Sequence, residues 1–204
     1  MSAHQDISTS LKARFGEAVL AENDFRGEKS FSIKIEAIRE IATFLRDDEG
    51  FDYLIDISSL DHFGETPRFE MVYELYSMAR SIHLRLKALV ADDDTPLVPT
   101  VSDLWPTADW HEREVFDMMG IRFDGHKDLR RILMWDGYPY YPLRKDFPLA
   151  GKHSDLEEVA FSDVAPLDGG PFVTTPTEGT TQVREPRARR AGDEPTHGKF
   201  LAEP

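Results

Sequence analysis

A fall in apolar content near residue 150 limits how much of this chain can build a hydrophobic core. Residues 150–204 contain six Gly and six Pro among 55 residues, and only ten of the 55 are Leu, Ile, Val or Phe. That share, about 18%, is below the ~20% at which a segment can usually form a core of its own. We therefore expect a single folded domain before this point, followed by a tail.

The tail, residues 152–204, still carries scattered apolar side chains, but its prolines interrupt any helical period. Such spacing suits an extended strap that wraps a partner and lies in its grooves. At ~3.3 Å per residue, the 55 residues from position 150 could reach on the order of 180 Å. A free, disordered tail is the alternative.

Composition excludes several classes of function. The chain has 24 Lys and Arg against 38 Asp and Glu, a formal net charge of -14, and no Cys. Without thiolates it can form no disulfide and cannot hold an iron–sulfur cluster or a cysteine zinc site, so any metal must use His, Asp or Glu. Its negative field repels phosphate backbones, which excludes nucleic acid as a partner.

No stretch of the sequence approaches the roughly 20 apolar residues of a membrane-spanning helix, and the first residues contain no apolar signal core. We therefore expect a protein of the cytosolic side.

Apolar periodicity in residues 1–149 predicts an α+β fold, with helices packed on a predominantly antiparallel sheet. An α+β domain is expected at residues 1–104, and a helix and loop of the same domain at 105–151. The predicted helices are 8–19, 36–48 and 107–119, and the predicted strands are 31–35, 53–58, 69–78 and 82–90. The last two strands are separated by three residues, which is typical of a hairpin.

The predicted helix 107–119 carries a carboxylate on its apolar face. Glu112 lies four residues from both Ala108 and Phe116, so its side chain shares their face. Leaving a carboxylate unpaired in an apolar environment costs several kcal/mol or raises its pKa until it protonates. We expect an Arg or a set of backbone N–H groups to meet Glu112, and a proton-handling role is the alternative.

A metal site is conceivable on the same helix, where His111, Glu114 and Asp117 are spaced three residues apart and His126 follows. The geometry disfavours it, because this spacing spreads the three side chains over about 120° of the helix. A solvated or interface face is the expected alternative. Residues 120–127, GIRFDGHK, do not form a phosphate-binding loop, since no Ser or Thr follows the Lys and the glycines trail a helix.

Residues 128–149 combine basic pairs, Arg130-Arg131 and Arg144-Lys145, with the aromatic run WDGYPYYP. Prolines at 139, 142 and 148 exclude a long helix and a central strand, so irregular backbone is expected. Tyr, Trp and Arg are enriched in the cores of protein interfaces. The same composition also fits a loop folded on its own domain.

The block from residue 105 to 151 resembles the 30-kilodalton-type subunit, also lettered C, of proton-translocating NADH:quinone oxidoreductase, respiratory complex I. The resemblance is carried by the segments ERE at 112–114, DMMGI at 117–121, Phe123, GH at 125–126, DLRRIL at 128–133 and PLRKDFPL at 142–149. Two departures are visible. Lys127 stands where the family usually has Pro, and Tyr140-Tyr141 occupies the place of Gly-His.

The resemblance implies a non-redox subunit of the peripheral arm, with no catalytic residue, cofactor site or metal site of its own. FMN and iron–sulfur clusters would lie in partner subunits. Those partners would be the large quinone-pocket subunit, the terminal-cluster subunit and the two-cluster ferredoxin-like subunit. The chain would be a peripheral protein on the cytoplasmic side of the inner membrane, attached only through the complex.

The resemblance also implies an interface and structural role for the charged members of the block. These are Glu112, Arg113, Glu114, Asp117, His126, Asp128, Arg130, Arg131, Arg144, Lys145 and Asp146. Among them Arg130, Arg131, Arg144 and Lys145 would meet acidic or carbonyl groups across or within an interface.

Three alternatives are open. A homologous subunit of a membrane-bound hydrogenase-type complex would share the fold and parts of the block. A stand-alone metal-dependent hydrolase would use His111, Glu114, Asp117 and His126. An acidic adaptor would bind other partners through the tail.

Overall fold

The computed structural model describes residues 3–148. It divides the chain into two units, Met1–Lys145 and Asp146–Pro204, and only residues 146–148 of the second unit are described. The expectations for the tail, residues 152–204, lie outside the described residues.

Helices and strands alternate irregularly along the first unit. In chain order they are α1 (Ala3–Phe15), β1 (Val19–Phe25), β2 (Glu28–Ile33), α2 (Ile38–Asp47), β3 (Tyr53–Asp61), β4 (Phe69–Ser77), β5 (Ile82–Val90), β6 (Leu97–Pro99), α3 (Ala108–Met119) and β7 (Arg122–Asp124). Short 3-10 turns at Gly16–Ala18 and Ile35–Ala37 precede β1 and α2.

Five strands form one sheet in the order β1-β2-β5-β4-β3. Every neighbouring pair is antiparallel except β2 and β5, which run parallel with Phe31 opposite Leu86. The α+β prediction with a predominantly antiparallel sheet is confirmed. Strands β6 and β7 pair separately, in parallel, and were not predicted.

The sheet has one buried and one charged face because side chains alternate along each strand. On the buried face Met71 and Tyr73 of β4 join the core, and α2 contributes Ile41 and Leu45 at helical spacing. On the other face Glu74 of β4 accepts a hydrogen bond from Arg85 of β5, while Lys87 pairs with Glu70 at 3.5 Å. The charged pairs keep that face compatible with water.

The first helix and strand differ from their predicted bounds. Helix α1 ends at Phe15 instead of residue 19, since Gly16 takes a positive φ of 41° that the helix cannot continue. Strand β2 starts at Glu28 and stops at Ile33, where the chain enters the 3-10 turn before α2. Both errors arose where the apolar pattern was short.

The prediction for α3 is confirmed at both ends. It begins two residues after Pro106 and ends at Gly120, whose φ of 75° is the left-handed cap expected for this glycine. Beyond β7 the described chain is irregular, as the prolines predicted. None of the helices within residues 3–148 combines the length and apolar character that crossing a membrane requires.

Candidate functional site: a loop folded onto helix α3

Asp117 of α3 anchors the irregular segment that follows, residues 128–145, here named the aromatic loop. The Asp117 side chain is fully buried. Its Oδ2 atom accepts hydrogen bonds from three successive backbone N–H groups, those of residues 132–134, at 3.0, 2.7 and 2.8 Å. Its Oδ1 atom accepts a fourth from Arg131 Nη1 at 2.5 Å.

These donors set the charge of Asp117. Burial alone would raise its pKa, but the N–H donors of the loop and the Arg131 guanidinium outweigh burial and hold the pKa below the usual value. The prediction of a solvated or interface face was therefore wrong for Asp117. Its carboxylate is directed into the chain's own loop, because four donors there replace the water it gives up.

Arg131 ties the middle of the aromatic loop to the same helix. Its Nη1 atom donates to the Asp117 carbonyl at 2.9 Å, and Nη2 donates to the carbonyls of Tyr138 at 2.5 Å and Tyr140 at 3.2 Å. The guanidinium also lies 5.3 Å from the ring centroid of Tyr141. A planar fork of donors suits this task, because it can reach several acceptors at once.

Arg113 supports the start of the loop from one turn earlier on α3. The residue is only 4% exposed, and its Nε and Nη2 atoms donate to the carbonyls of Arg130 and Arg131, each at 3.2 Å. Its guanidinium lies 5.3 Å from the Trp110 ring centroid. Arg113 therefore satisfies backbone carbonyls that the irregular loop cannot pair in a ladder.

The end of the loop closes over the C-terminus of α3. Arg144 Nε donates to the carbonyl of Met119 at 2.7 Å, where a cation is favoured by the exposed carbonyls and the helix dipole. The Arg144 guanidinium stacks near Tyr141 at 4.6 Å and Phe69 at 5.1 Å from the ring centroids. The predicted role of Arg144, meeting a carbonyl group, is fulfilled within the chain.

Asp61, at the end of β3, fixes the last residue of the loop. Its Oδ2 atom accepts the backbone N–H of Lys145 at 2.8 Å, and both its oxygens accept from Arg68 at 2.7 Å. The Arg68 hydrogen bond lowers the pKa of Asp61 against the opposing effect of burial. Sequence patterns did not identify either residue, since neither stands in the motif block.

We expect Asp61→Asn to lower the free energy of unfolding by about 1.5–3 kcal/mol at pH 7, because it removes the charge from a bidentate pair whose carboxylate is buried. A lowered pKa gives stability that is present above the unfolded value, 3.8, and is lost as pH falls. The deficit of the variant should therefore shrink at pH 3.5. Urea unfolding at the two pH values measures both effects, and an equal deficit at both would contradict this role of the Asp61 charge.

Glu112 occupies a separate buried site on the opposite side of α3 from solvent. Its side chain has no exposed area, as predicted. Its Oε2 atom accepts a hydrogen bond from Thr100 Oγ1 at 2.5 Å, and Oε1 accepts the Val101 N–H at 2.7 Å. The expected backbone donor is thus a single N–H, and a threonine hydroxyl takes the place of the expected Arg. Burial raises the pKa of Glu112 to about 7.

His126 lies beside Glu112 and is enclosed as well. Its side chain is 0% exposed, and Nε2 is 3.9 Å from Glu112 Oε2 and 3.3 Å from the Asp109 carbonyl. Its Nδ1 atom accepts the Asp128 N–H at 3.1 Å, so Nδ1 carries no proton and the ring is neutral. The structure places His126 in the interior, where it fastens the loop after β7 to α3.

The four residues of the hypothetical metal site do not converge. His111 Nδ1 is 3.1 Å from Asp56 Oδ1, Glu114 is exposed, Asp117 faces the aromatic loop, and His126 faces Asp109 and Glu112. Across the described residues no group of three or more His, Asp or Glu is placed to hold a metal ion. The arrangement that a metal-dependent hydrolase would need is not formed.

The remaining predicted residues are exposed to solvent. Arg130 pairs with its neighbour Asp128, at 2.8 Å and with both side chains more than half exposed, which contributes at most about 1 kcal/mol. Trp110 of α3 and the loop residues Leu133 and Leu143 are 60%, 62% and 57% exposed. Asp146 belongs to the second unit.

Comparison with known proteins decides the family. Residues 31–153 match the family model of the respiratory-chain NADH dehydrogenase 30 Kd subunit. The chain belongs to this family. The matched range contains Asp61, α3 and the whole aromatic loop, so the resemblance of the 105–151 block to the 30 Kd subunit is confirmed.

Relatives and a solved structure agree with membership of the 30 Kd subunit family. The C-type NADH-quinone oxidoreductase subunit numbered 2 in Rhizobium meliloti (strain 1021) is 48% identical over 150 residues, covering 72% of this chain and 81% of the relative. The protein of the same name in Rhizobium etli (strain CIAT 652) is 42% identical over 179 residues, covering 87% and 91%.

A chain from the membrane-bound sulfane sulfur reductase, an archaeal respiratory membrane complex, superposes with a TM-score of 0.63 at 25% identity. That superposition covers 72% of this chain and 86% of the other. The fold of the 30 Kd subunit is therefore also found in a second kind of respiratory complex.

Proposed function

We propose that this chain is a structural, non-redox subunit of the peripheral arm of NADH:quinone oxidoreductase, and that α3 and the aromatic loop form a rigid docking surface for neighbouring subunits. Membership of the 30 Kd subunit family supports the place in the complex. The structural role rests on one observation, the way in which the charged residues of the motif block are used.

Those charges are used inside the fold. Asp117, Arg113, Arg131 and Arg144 bond to backbone N–H and carbonyl groups of the loop or of α3, which leaves few of them to bind a substrate. An irregular segment whose backbone groups are satisfied by buried side chains is rigid. Rigid spacing between redox centres in other subunits is what electron transfer requires, and packing around those centres supplies it.

We assign the redox chemistry to partner subunits. FMN and the iron–sulfur clusters would lie there, since a chain without Cys offers no thiolate to a cluster. The proposed partners are the large quinone-pocket subunit, the terminal-cluster subunit and the two-cluster ferredoxin-like subunit. The chain would sit on the cytoplasmic side of the membrane, attached to it through the complex.

A second candidate is a subunit of a related membrane-bound respiratory complex, which the sulfane sulfur reductase superposition favours. Identity of 48% to an NADH-quinone oxidoreductase subunit, against 25% for that chain, supports the first candidate. Purification of the tagged chain with its partners separates the two, because only the first should bring down a flavin subunit that oxidises NADH.

Placing charges on the exposed apolar side chains of the loop should prevent docking without unfolding the chain. We expect the double variant Leu133→Asp, Leu143→Asp to lose at least about 30-fold in association with the arm, the effect of ~2 kcal/mol at an interface hot spot. The measurements are flavin and iron recovered with the tagged chain, and NADH:quinone activity of the purified complex.

Leu20→Asp is the matched control, because Leu20 is 59% exposed on β1, outside the loop. This variant should assemble and be active. A complete arm recovered with the double variant would contradict the docking surface. An isolated chain that oxidises NADH or retains flavin would contradict the non-redox role.

A further inference from the structure

The buried carboxyl group of Glu112 has fewer donors than an ionised carboxylate needs. A carboxylate offers about four lone-pair sites, and the structure gives Glu112 two hydrogen bonds, from Thr100 Oγ1 and the Val101 N–H. By contrast, Asp117, also fully buried and five residues later on α3, receives four hydrogen bonds including one from an Arg. The two acids on one helix are therefore built for different charge states.

Two hydroxyl groups connect Glu112 to solvent. Thr100 Oγ1 is 2.5 Å from Glu112 Oε2 and 2.8 Å from Ser102 Oγ. Thr100 and Ser102 both line an open cavity of about 470 Å³ beside α3. Its other charged lining residues are Arg39, Asp103, Asp109, Asp124 and Lys127.

We infer that Glu112 is an internal proton-binding site of this fold, which exchanges its proton with the cavity through the hydroxyl groups of Thr100 and Ser102. In the ionised form, the Thr100 hydroxyl donates to Oε2. In the neutral form, the carboxylic acid donates to Thr100 Oγ1, and the Thr100 hydroxyl turns to donate to Ser102 Oγ. The released proton passes to water in the cavity, and the Val101 N–H bond to Oε1 is kept in both forms.

The surrounding groups fit this assignment. Asp109 and Asp103 disfavour a second negative charge, whereas Arg39, bonded to Asp103, favours it. His126 is neutral with Nδ1 occupied by the Asp128 N–H, so it leaves the titration to the carboxyl group. Tyr73, buried on the β4 side, stays protonated because burial raises its pKa.

The site operates near neutrality, since burial raises the pKa of Glu112 from 4.5 to about 7. The folded chain then keeps a proton that the unfolded chain releases above pH 4.5. The stability that this proton gives is fully present below pH 4.5 and is lost as pH rises through 7. Between these values the unfolding equilibrium constant should rise by about 100-fold or more from this group.

Carbon-13 NMR of the glutamate Cδ atoms in the full chain tests the assignment directly. We expect one resonance with a midpoint near pH 7, and Glu112→Gln should remove it. The amide reproduces the hydrogen bonds of the neutral acid, so this variant should also lose the stability change between pH 5 and 7. Glu114→Gln, at an exposed position of the same helix, is the matched control and should leave that midpoint in place.

A third variant tests the hydroxyl connection. Thr100→Val removes a donor to the ionised form and should raise the midpoint by about one pH unit. An unchanged midpoint in this variant would overturn the role of Thr100. Wild-type protein in which every glutamate titrates below pH 5.5, or in which nitrogen-15 shifts place the proton on His126, would overturn the assignment to Glu112.

Discussion

Replacing Asp117 by Ala should lower the free energy of unfolding by about 3–5 kcal/mol, because it breaks a buried ion pair and leaves its partners behind. Three backbone N–H groups of residues 132–134 would lose their acceptor, and Arg131, whose side chain is 11% exposed, would lose its carboxylate. Each buried donor left unsatisfied costs about 1–3 kcal/mol, although water entering the site would recover part of this.

Urea unfolding of the full chain at pH 7 measures this effect. Glu114→Ala is the control, since Glu114 is exposed three residues earlier on α3 and should change the unfolding free energy by no more than about 0.5 kcal/mol. The Asp117 variant should also alter the near-UV circular dichroism of the loop aromatics, among them Trp135 and Tyr138. A loss under 1 kcal/mol would show that Asp117 does not hold the loop.

Local periodicity predicted those parts of the fold whose cause is local. The spacing of Ile38, Ile41 and Leu45 predicted α2, and alternation in β4 and β5 predicted their hairpin. The parallel pairing of β2 with β5 could not be predicted in this way, because a strand of either direction has the same period of two. Its direction depends on the path of the whole chain between the two strands.

The same distinction explains the two buried acids of α3. Burial of Glu112 was predictable, because Ala108 and Phe116 lie on its own helix face. Burial of Asp117 was not, since the groups that cover it come from backbone N–H donors of residues 132–134, far along an irregular segment. A pattern of side chains does not reveal where main-chain donors will point. The motif block did identify Asp117 as important, but without its role.

Gly120→Ala should lower the free energy of unfolding by about 2–4 kcal/mol through two separate costs. The residue has a φ of 75°, and a left-handed conformation costs an L-residue about 1–2 kcal/mol. In addition, a Cβ atom would lie 2.6 Å from Tyr141 Cε2 and 2.7 Å from Arg144 Nη2. Relieving that overlap would disturb the bond from Arg144 to the Met119 carbonyl, and overpacking of this kind typically costs about 1–3 kcal/mol.

Gly137→Ala separates the two costs. Gly137 has a similar φ of 84°, but an added Cβ would meet nothing within 4 Å, so only the conformational cost of about 1–2 kcal/mol applies. The difference between the two variants in urea unfolding therefore reports the close contact of Tyr141 and Arg144 with the end of α3. Equal losses would mean that the loop yields without cost at this point, and that it is too compliant to fix the spacing of neighbouring subunits.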